Sequence, residues 1–419
     1  MYRGRPQGTV MVLFVGFILV LFATYLAWLI YAAIKFPLPF VYNLRSLWGR
    51  KSSTLTTASA ISLVVAIFIV VLSLAQGISK AFVTSGLPNQ ALVMRPSSRF
   101  ELNSSITRDQ ARIIKSNPLV AKDNMNPIAS AEVIVIKLFN KSDGVGSNIT
   151  VRGMEVTGRS MRPQVKLVSG RWFQPGLSEV TVPVKMQLRF PELVVGRSFK
   201  MGGRQWDIVG TYDAAGSSFD SEIWSDVNDV MQAFKRETYS TVLVRLRSED
   251  DLGSFTLQME EEKRLKLEAV AERSYFKELT KAGDPIRIIG NLITVILSIG
   301  AMFSAMNTMY ASVASRTKEI GTLRALGYRR REILASFQWE AIALCVLGGL
   351  GGSLLSFLAD GIQTGTTSFD TFSDISFAFT ITPRLLAQGL FFSVGMGILG
   401  GLLPAWRASN IPLTEAMKA

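Results

Sequence analysis

Five apolar runs, each long enough to cross a bilayer, constrain the fold of this 419-residue chain more than any other feature. They cover approximately residues 9–34, 55–76, 286–313, 334–358 and 385–403. Hydrophobic residues make up 48% of the chain and charged residues only 18%, as expected of a membrane protein with a sizeable soluble part. We therefore predict an α-helical membrane protein whose long polar stretch forms a separate domain.

The distribution of charge predicts how the chain is oriented. Residues 1–100 hold nine basic and no acidic residues, whereas residues 101–284 hold 26 basic and 25 acidic residues. Because the soluble middle is nearly neutral, the net charge of +13 does not indicate nucleic-acid binding. An excess of Lys and Arg beside membrane spans marks the cytoplasmic side. Residues 35–51 and 316–332 are therefore predicted to be cytoplasmic, and residues 359–383, with three Asp and no base, extracytoplasmic.

Several classes of site are excluded or not expected. The chain contains no His and one Cys, so a Ser-His-Asp site is impossible and a typical zinc site is not expected. No G-x-x-x-x-G-K-[ST] pattern occurs, so the sequence has no P-loop of its own. An acidic cluster matches no EF-hand spacing, and we interpret it as a polar loop leading into a helix; its members are Asp220, Glu222, Asp226 and Asp229. We expect no catalytic, cofactor-binding or metal-binding residues in this chain.

The first apolar run is predicted to be a retained transmembrane helix within residues 1–36. At 26 residues it is longer than the 7–15 residues of a signal-peptide core. A signal peptide cleaved near Ala32-Ala33 is the alternative. Residues 37–54 mix basic and aromatic side chains and predict an amphipathic segment in the interface or cytoplasm, with a plain connector as the alternative. Residues 55–76 form the next predicted span.

Residues 77–284 predict an extracytoplasmic domain of mixed α and β structure. Thr107 and Gln110 have the spacing of a capping box that opens an amphipathic helix. Residues 131–139 predict a strand, and residues 199–212 a hairpin that turns at Gly202-Gly203. Because strands and helices alternate along the stretch, we predict two small α/β lobes. The fold class is thus an α-helical membrane protein with an α+β extracytoplasmic domain.

Residues 318–333, between two apolar runs, have the pattern of a short amphipathic surface helix. Four apolar residues fall roughly on one face, namely Ile320, Leu323, Leu326 and Ile333. Gly327 would permit a turn that ends one short helix and lets the next begin. Such a transverse helix suits a cleft on a soluble partner.

Here the sequence resembles the permeases of the MacB/LolC/FtsX type of ABC transporter, also called type VII. The match in this segment comprises Lys318, Glu319, Ile320, Gly321, Leu323, Arg324, Ala325, Leu326, Gly327, Arg329, Arg330, Arg331 and Ile333. Residues 43–57 and 400–416 also resemble the family. The resemblance implies a MacB-like core domain over residues 77–284. It also implies an FtsX-like domain over residues 285–419, with three spans and a coupling helix at residues 316–333.

The resemblance implies partners as well. The permease would be a dimer with a second copy or a paralogue, seated on two copies of a separate ATPase that bind ATP and Mg²⁺. Polar contacts with the ATPase would come from Glu319, Arg324, Arg329, Arg330 and Arg331, and the buried anchor from Leu323, Leu326 and Ile333. The alternative is that the Arg cluster only orients the helix in the membrane.

Three functions are compatible with this resemblance. The first is energised export in a MacAB-like tripartite system, with a MacA-like periplasmic adaptor and an outer-membrane duct. The second is LolCDE-like extraction of lipoprotein or lipid, and the third is FtsX-like mechanotransmission to a cell-wall hydrolase. The size of the soluble domain favours the first. In each case we expect a multi-pass protein of the bacterial inner membrane with its large domain in the periplasm, and no enzyme site in this chain.

Overall fold

The computed structural model describes residues 20, 23–35, 47, 49, 51–83, 85–279, 284–367 and 373–412. The chain divides into two compact units. The first, here the helical unit, comprises residues 1–72, 288–360 and 381–419. The second, here the sheet unit, comprises residues 73–287 and 361–380.

Twelve helices are named in chain order. They are α1 (Ala23–Lys35), α2 (Lys51–Val83), α3 (Arg108–Ser116), α4 (Val156–Ser160), α5 (Val184–Gln187), α6 (Val227–Ala233), α7 (Asp251–Glu261), α8 (Glu272–Leu279), α9 (Asp284–Ser315), α10 (Thr317–Ala325), α11 (Arg330–Ser356) and α12 (Pro383–Asn410). Within the described residues, α2, α9, α11 and α12 are long and apolar enough to cross a membrane. They correspond to the last four predicted spans. Of the first predicted span, α1 is seen, and its remainder lies outside the described residues, as does most of the predicted interfacial segment.

Small residues let α11 approach its neighbours closely in the helical unit. A Cβ atom added at Gly349 would lie 2.3 Å from Oγ of Ser393 on α12. One added at Gly348 would lie 2.6 Å from Cβ of Ile61 on α2. Backbones that approach this closely gain van der Waals contact along the whole crossing, which is the main source of helix association in lipid. Among the described elements, α11 and α12 are the pair in most extensive contact.

The strands are likewise named in chain order. They are β1 (Gln90–Met94), β2 (Lys122–Asp123), β3 (Asn126–Pro127), β4 (Ala129–Asn140), β5 (Gly146–Met154), β6 (Lys166–Gly170), β7 (Glu179–Pro183), β8 (Ser198–Met201), β9 (Arg204–Asp213), β10 (Glu222–Asp226), β11 (Thr241–Arg245), β12 (Glu268–Ala271), β13 (Gln363–Thr367) and β14 (Asp374–Ala378). Ten of them form one sheet in the order β12-β1-β11-β4-β5-β10-β7-β9-β6, with β8 also paired to β9.

The two predicted lobes share this sheet because strand β4 serves both. Residues 129–132 pair with β11, and residues 132–140 pair with β5. The sheet is therefore continuous, with separate apolar clusters around Trp206, around Trp224 and around Val242. The predicted two-lobe arrangement is revised to one mixed sheet whose two parts meet along a single 12-residue strand.

Local predictions within the sheet unit agree with the structure. Thr107 caps α3, with its Oγ1 accepting from the Gln110 amide at 3.2 Å and the Gln110 side chain accepting from the Thr107 amide at 2.9 Å. Strands β8 and β9 form the predicted hairpin across Gly202-Gly203, where both glycines have positive φ. Such backbone is accessible to glycine at little cost.

A buried charge network, which the sequence did not reveal, fastens the interior of the sheet unit. Arg152 is 2% exposed and donates to Glu101, Glu132 and Glu222 at 2.6–2.9 Å. Arg162, equally buried, donates to both oxygens of Glu132 at 2.8 Å. Burial opposes ionisation of Glu132, but attraction by the two guanidinium groups holds the pKa of Glu132 below its usual value.

The segment between α11 and α12 is a β-hairpin rather than a plain connector. Strands β13 and β14 pair antiparallel from Gln363 with Ala378 to Thr367 with Asp374. The hairpin belongs to the sheet unit, although the helices on either side of it belong to the helical unit.

Candidate docking surface

The segment that the sequence singles out forms a helix, a turn and the start of a second helix. Helix α10 ends at Ala325, and Gly327 has a φ of 101°. Helix α11 then begins at Arg330, and the Glu332 side chain accepts from the Arg329 amide at 2.8 Å. The prediction that Gly327 separates two helices is confirmed. A residue with a Cβ would be strained at this φ, which explains a glycine at the turn.

Arg316 anchors α10 to the neighbouring helices. Its side chain is 7% exposed, and its Nε lies 2.7 Å from Glu319 while one terminal nitrogen lies 3.2 Å from Glu340 on α11. Ser312, near the end of α9, donates to the second oxygen of Glu340 at 3.0 Å. The guanidinium also lies over the ring of Phe337, 5.5 Å from its centroid. A buried ion pair is favourable only when further hydrogen bonds satisfy both groups, as they do here.

Two other basic residues of the segment contact the end of α12. Arg324 donates to the backbone carbonyl of Ile411 at 2.9 Å, and Arg330 to the side-chain oxygen of Asn410 at 3.3 Å. These contacts were not predicted, because Ile411 lies 87 residues along the chain from Arg324. Together with the Arg316 contacts, they fix α10 to α9, α11 and α12.

The apolar residues of the segment point in different directions. Ile320 and Ile333 are each 1% exposed and pack with Met309, Val313 and Ala405 in the interior of the helical unit. The prediction that Ile333 anchors in a partner is therefore wrong. It assumed one face running through residues 320–333, whereas the break at Gly327 places Ile333 in a separate helix that faces inward.

Other residues of the segment are accessible. Leu326 is 72% exposed, and Leu323 is half-buried. Gly321 is buried, whereas Lys318, Ala325, Arg329, Arg330 and Arg331 are exposed. In the described part of the chain, Lys318 and Arg331 form no ion pair. We define the docking surface as a set of accessible apolar and basic residues of this segment, namely Lys318, Leu323, Ala325, Leu326 and Arg331.

The acidic cluster of the sheet unit is not the polar loop that the sequence predicted, because Asp220 lies in a 3₁₀ turn, Glu222 and Asp226 in the buried strand β10, and Asp229 in α6. Asp220 accepts from Lys185 at 2.6 Å, Glu222 binds Arg152, and Asp226 caps α6 through the amides of Asn228 and Asp229. Each carboxylate has its own partner. Within the described residues, no group of three or more His, Cys, Asp or Glu side chains could hold a metal ion.

Two family models match this chain. The model described as FtsX-like permease C-terminal matches residues 291–413, which include most of α9, the whole of α10 to α12 and the docking surface. The model described as MacB-like periplasmic core domain matches residues 54–262, which include most of α2 and of the sheet unit. The two matches do not overlap, and the second includes most of the span α2 together with most of the soluble domain.

Curated relatives agree with these models at low identity. The macrolide export ATP-binding/permease protein MacB of Pasteurella multocida is 23% identical over 90% of this chain and 60% of its own length. The uncharacterized ABC transporter permease YknZ of Bacillus subtilis is 26% identical over 61% of this chain and 66% of its own length. The chain thus spans less than two thirds of each of these relatives.

Among solved structures, the periplasmic region of MacB from Actinobacillus actinomycetemcomitans is 10% identical, with a TM-score of 0.36, covering 47% of this chain and 94% of that one. The family assignment rests on the two sequence models, which match residues 54–262 and 291–413. The chain belongs to the MacB-like and FtsX-like family of ABC permeases, with a MacB-like periplasmic core domain and an FtsX-like C-terminal permease domain.

Proposed function

We propose that this chain is a permease subunit that couples ATP hydrolysis by a separate cytoplasmic ATPase to a conformational change of its periplasmic domain. The observation that carries the proposal is the docking surface on a helix fastened to three long helices. A soluble partner that moved α10 would move α9, α11 and α12 with it, because hydrogen bonds and a buried ion pair join these helices within the chain.

The composition of the docking surface supports a protein partner. Leu326 is 72% exposed, as a side chain that anchors in an apolar cleft of a partner must be before binding. Lys318 and Arg331 add positive charge that would guide an acidic partner surface.

The work done in the periplasm is proposed to be export. The matched Pasteurella multocida relative is named a macrolide export ATP-binding/permease protein, and its match covers 90% of this chain. In this proposal, two permease subunits in the inner membrane bind two ATPase subunits, and the sheet unit engages a periplasmic adaptor connected to an outer-membrane duct. ATP and Mg²⁺ would be bound by the ATPase and not by this chain.

Co-purification tests the docking surface. Leu326→Asp places a charge in the docking surface and should reduce recovery of the ATPase with the tagged permease at least tenfold. Leu188→Asp is the matched control, because Leu188 is 74% exposed but lies in the sheet unit. Equal recovery of the ATPase with both variants would refute the docking assignment.

A further inference from the structure

The hairpin between α11 and α12 is held to the sheet unit by a buried ion pair. Arg189 donates through both terminal nitrogens to the two oxygens of Asp374, each at 2.7 Å. The Asp374 side chain is 0% exposed and that of Arg189 is 13% exposed. A bidentate pair of this kind fixes orientation as well as distance.

Further contacts make this attachment specific. Ser147, on β5, donates to Asp374 at 2.9 Å, and Lys141 lies 3.6 Å from the same carboxylate. The Ser376 amide donates to Oγ of Ser221 at 2.7 Å, and the Ser376 side chain lies 2.6 Å from Arg189. Asp374 and Ser376 thus bind three separate parts of the sheet unit, which are β5, the segment after α5 and the 3₁₀ turn before β10.

The base of the hairpin is also attached to the part of α2 that belongs to the sheet unit. Oγ of Ser73 accepts from the Thr380 amide at 2.9 Å and lies 3.1 Å from the Thr380 carbonyl oxygen. Phe379 packs against the apolar cluster that contains Ile78 and Phe82. This segment is therefore built into the unit, and it is not a loop resting on its surface.

The other end of the same helix pair carries the docking surface. Helix α11 begins three residues after Gly327, and the end of α12 accepts hydrogen bonds from Arg324 and Arg330. Between these ends, α11 and α12 are in the most extensive contact of any pair of described elements. Displacement of one helix along its axis must carry the other, because their small residues interlock.

We propose that α11, α12 and their clamped hairpin form a transmission strut, in which Arg189 and Asp374 are positioning residues that fasten the strut to the periplasmic domain. This inference rests on the proposed function. It adds a mechanical route to the domain that is separate from the two chain connections through α2 and α9. Motion imposed at α10 reaches the hairpin through the helix pair, and the ion pair passes it to β5 and to the turn before β10.

The test uses the full permease with its ATPase in lipid nanodiscs. Hydrogen exchange of peptides from β5 and from residues 218–226 is measured with and without ATP and Mg²⁺. The unsubstituted complex should show an ATP-dependent difference in exchange, and Arg189→Ala should reduce that difference at least threefold. Arg171→Ala is the matched control, because Arg171 pairs with Glu179 within the sheet unit and does not contact the hairpin. ATPase recovery should be the same for both variants.

A second pair of substitutions separates fastening from folding. Ser221→Cys with Ser376→Cys, added to Arg189→Ala, should restore the ATP-dependent difference after oxidation and lose it after reduction. The strut proposal would be wrong if Arg189→Ala kept the full ATP-dependent difference in exchange. It would also be wrong if the oxidised cysteine pair did not restore a difference lost in Arg189→Ala. If the unsubstituted complex neither binds the ATPase nor responds to ATP, the proposed function and the strut both fail.

Discussion

Arg152 holds three carboxylates in the interior of the sheet unit, and none of them could have been assigned to it from the sequence. Glu101, Glu132 and Glu222 lie 51, 20 and 70 residues from it along the chain, so no local spacing pairs them. The sequence identified the segment that carries the docking surface, but not which of its side chains face outward. Ile333 and Leu326 are both apolar, yet Ile333 is 1% exposed and Leu326 is 72% exposed.

Removal of the central guanidinium should destabilise the sheet unit strongly. Arg152→Leu leaves Glu101, Glu132 and Glu222 short of their buried counter-charge and should lower the free energy of unfolding by about 3–5 kcal/mol. Arg112→Leu is the control, since Arg112 and its partner Asp109 are both largely exposed, and it should change stability little. Chemical denaturation, monitored through the hydrogen exchange of peptides from the sheet unit, measures the free energy of unfolding of both variants. Similar effects of the two substitutions would contradict the network's role.

Glu272 makes the stability of the sheet unit depend on pH. Burial raises the pKa of Glu272 to about 7, and the attraction of Arg162 offsets only part of this. Since the folded chain holds this proton more tightly than the unfolded chain, Glu272 lowers the free energy of unfolding progressively as pH rises from about 4.5 to about 7.

Glu272→Gln should remove this dependence. The variant should gain stability relative to the unsubstituted chain by on the order of 3 kcal/mol at pH 8 and gain little at pH 4.5. Thermal unfolding across this pH range, monitored through the hydrogen exchange of the sheet unit, measures the difference in stability between the two proteins. If the difference in the free energy of unfolding between the two proteins does not change with pH, Glu272 does not titrate in this way.

At the scale of elements, the sequence correctly predicted those features that depend on interactions between residues close together in the chain. The capping box of α3, the hairpin of β8 and β9 and the helix break at Gly327 each depend on residues within a few positions of one another. Strands β6 and β10 are among the strands that the sequence did not predict, because their patterns differ from that of a half-buried strand. All five residues of β6 are exposed, and β10 carries charged residues whose partners lie elsewhere in the chain.

The turn at Gly327 is an element-scale prediction. Gly327→Ala places a Cβ at a φ of 101° and should cost on the order of 1–2 kcal/mol, with faster hydrogen exchange across residues 317–333. Gly395→Ala is the control, because a Cβ at this position in α12 would meet no atom within 4 Å. Unchanged exchange in Gly327→Ala would mean that the turn does not depend on its glycine.

At the scale of the whole molecule, the family models match a MacB-like periplasmic core domain followed by an FtsX-like permease domain, as the resemblance in the sequence implies. The sequence did not predict that the hairpin of residues 361–380 joins the sheet unit, because its attachments lie on β5, after α5 and before β10. Charge in the loops predicts sides of the membrane, but it does not predict which loops fold together.

The orientation can be tested by labelling in intact cells. Gln363→Cys, on the exposed start of β13, should react with a membrane-impermeant maleimide from outside the inner membrane. Thr322→Cys, exposed on α10, should react only after permeabilisation. The unsubstituted chain is the background control, since Cys345 is buried. The reverse labelling pattern would overturn the topology.

The central claim is that the docking surface receives another protein's ATP-driven motion, and photo-crosslinking in cells tests it most directly. A photoreactive amino acid at Leu326 should crosslink to an ABC ATPase, whereas one at the equally exposed Leu188 should not. Crosslinks from Leu326 to lipid only, or the same products from both positions, would contradict the account.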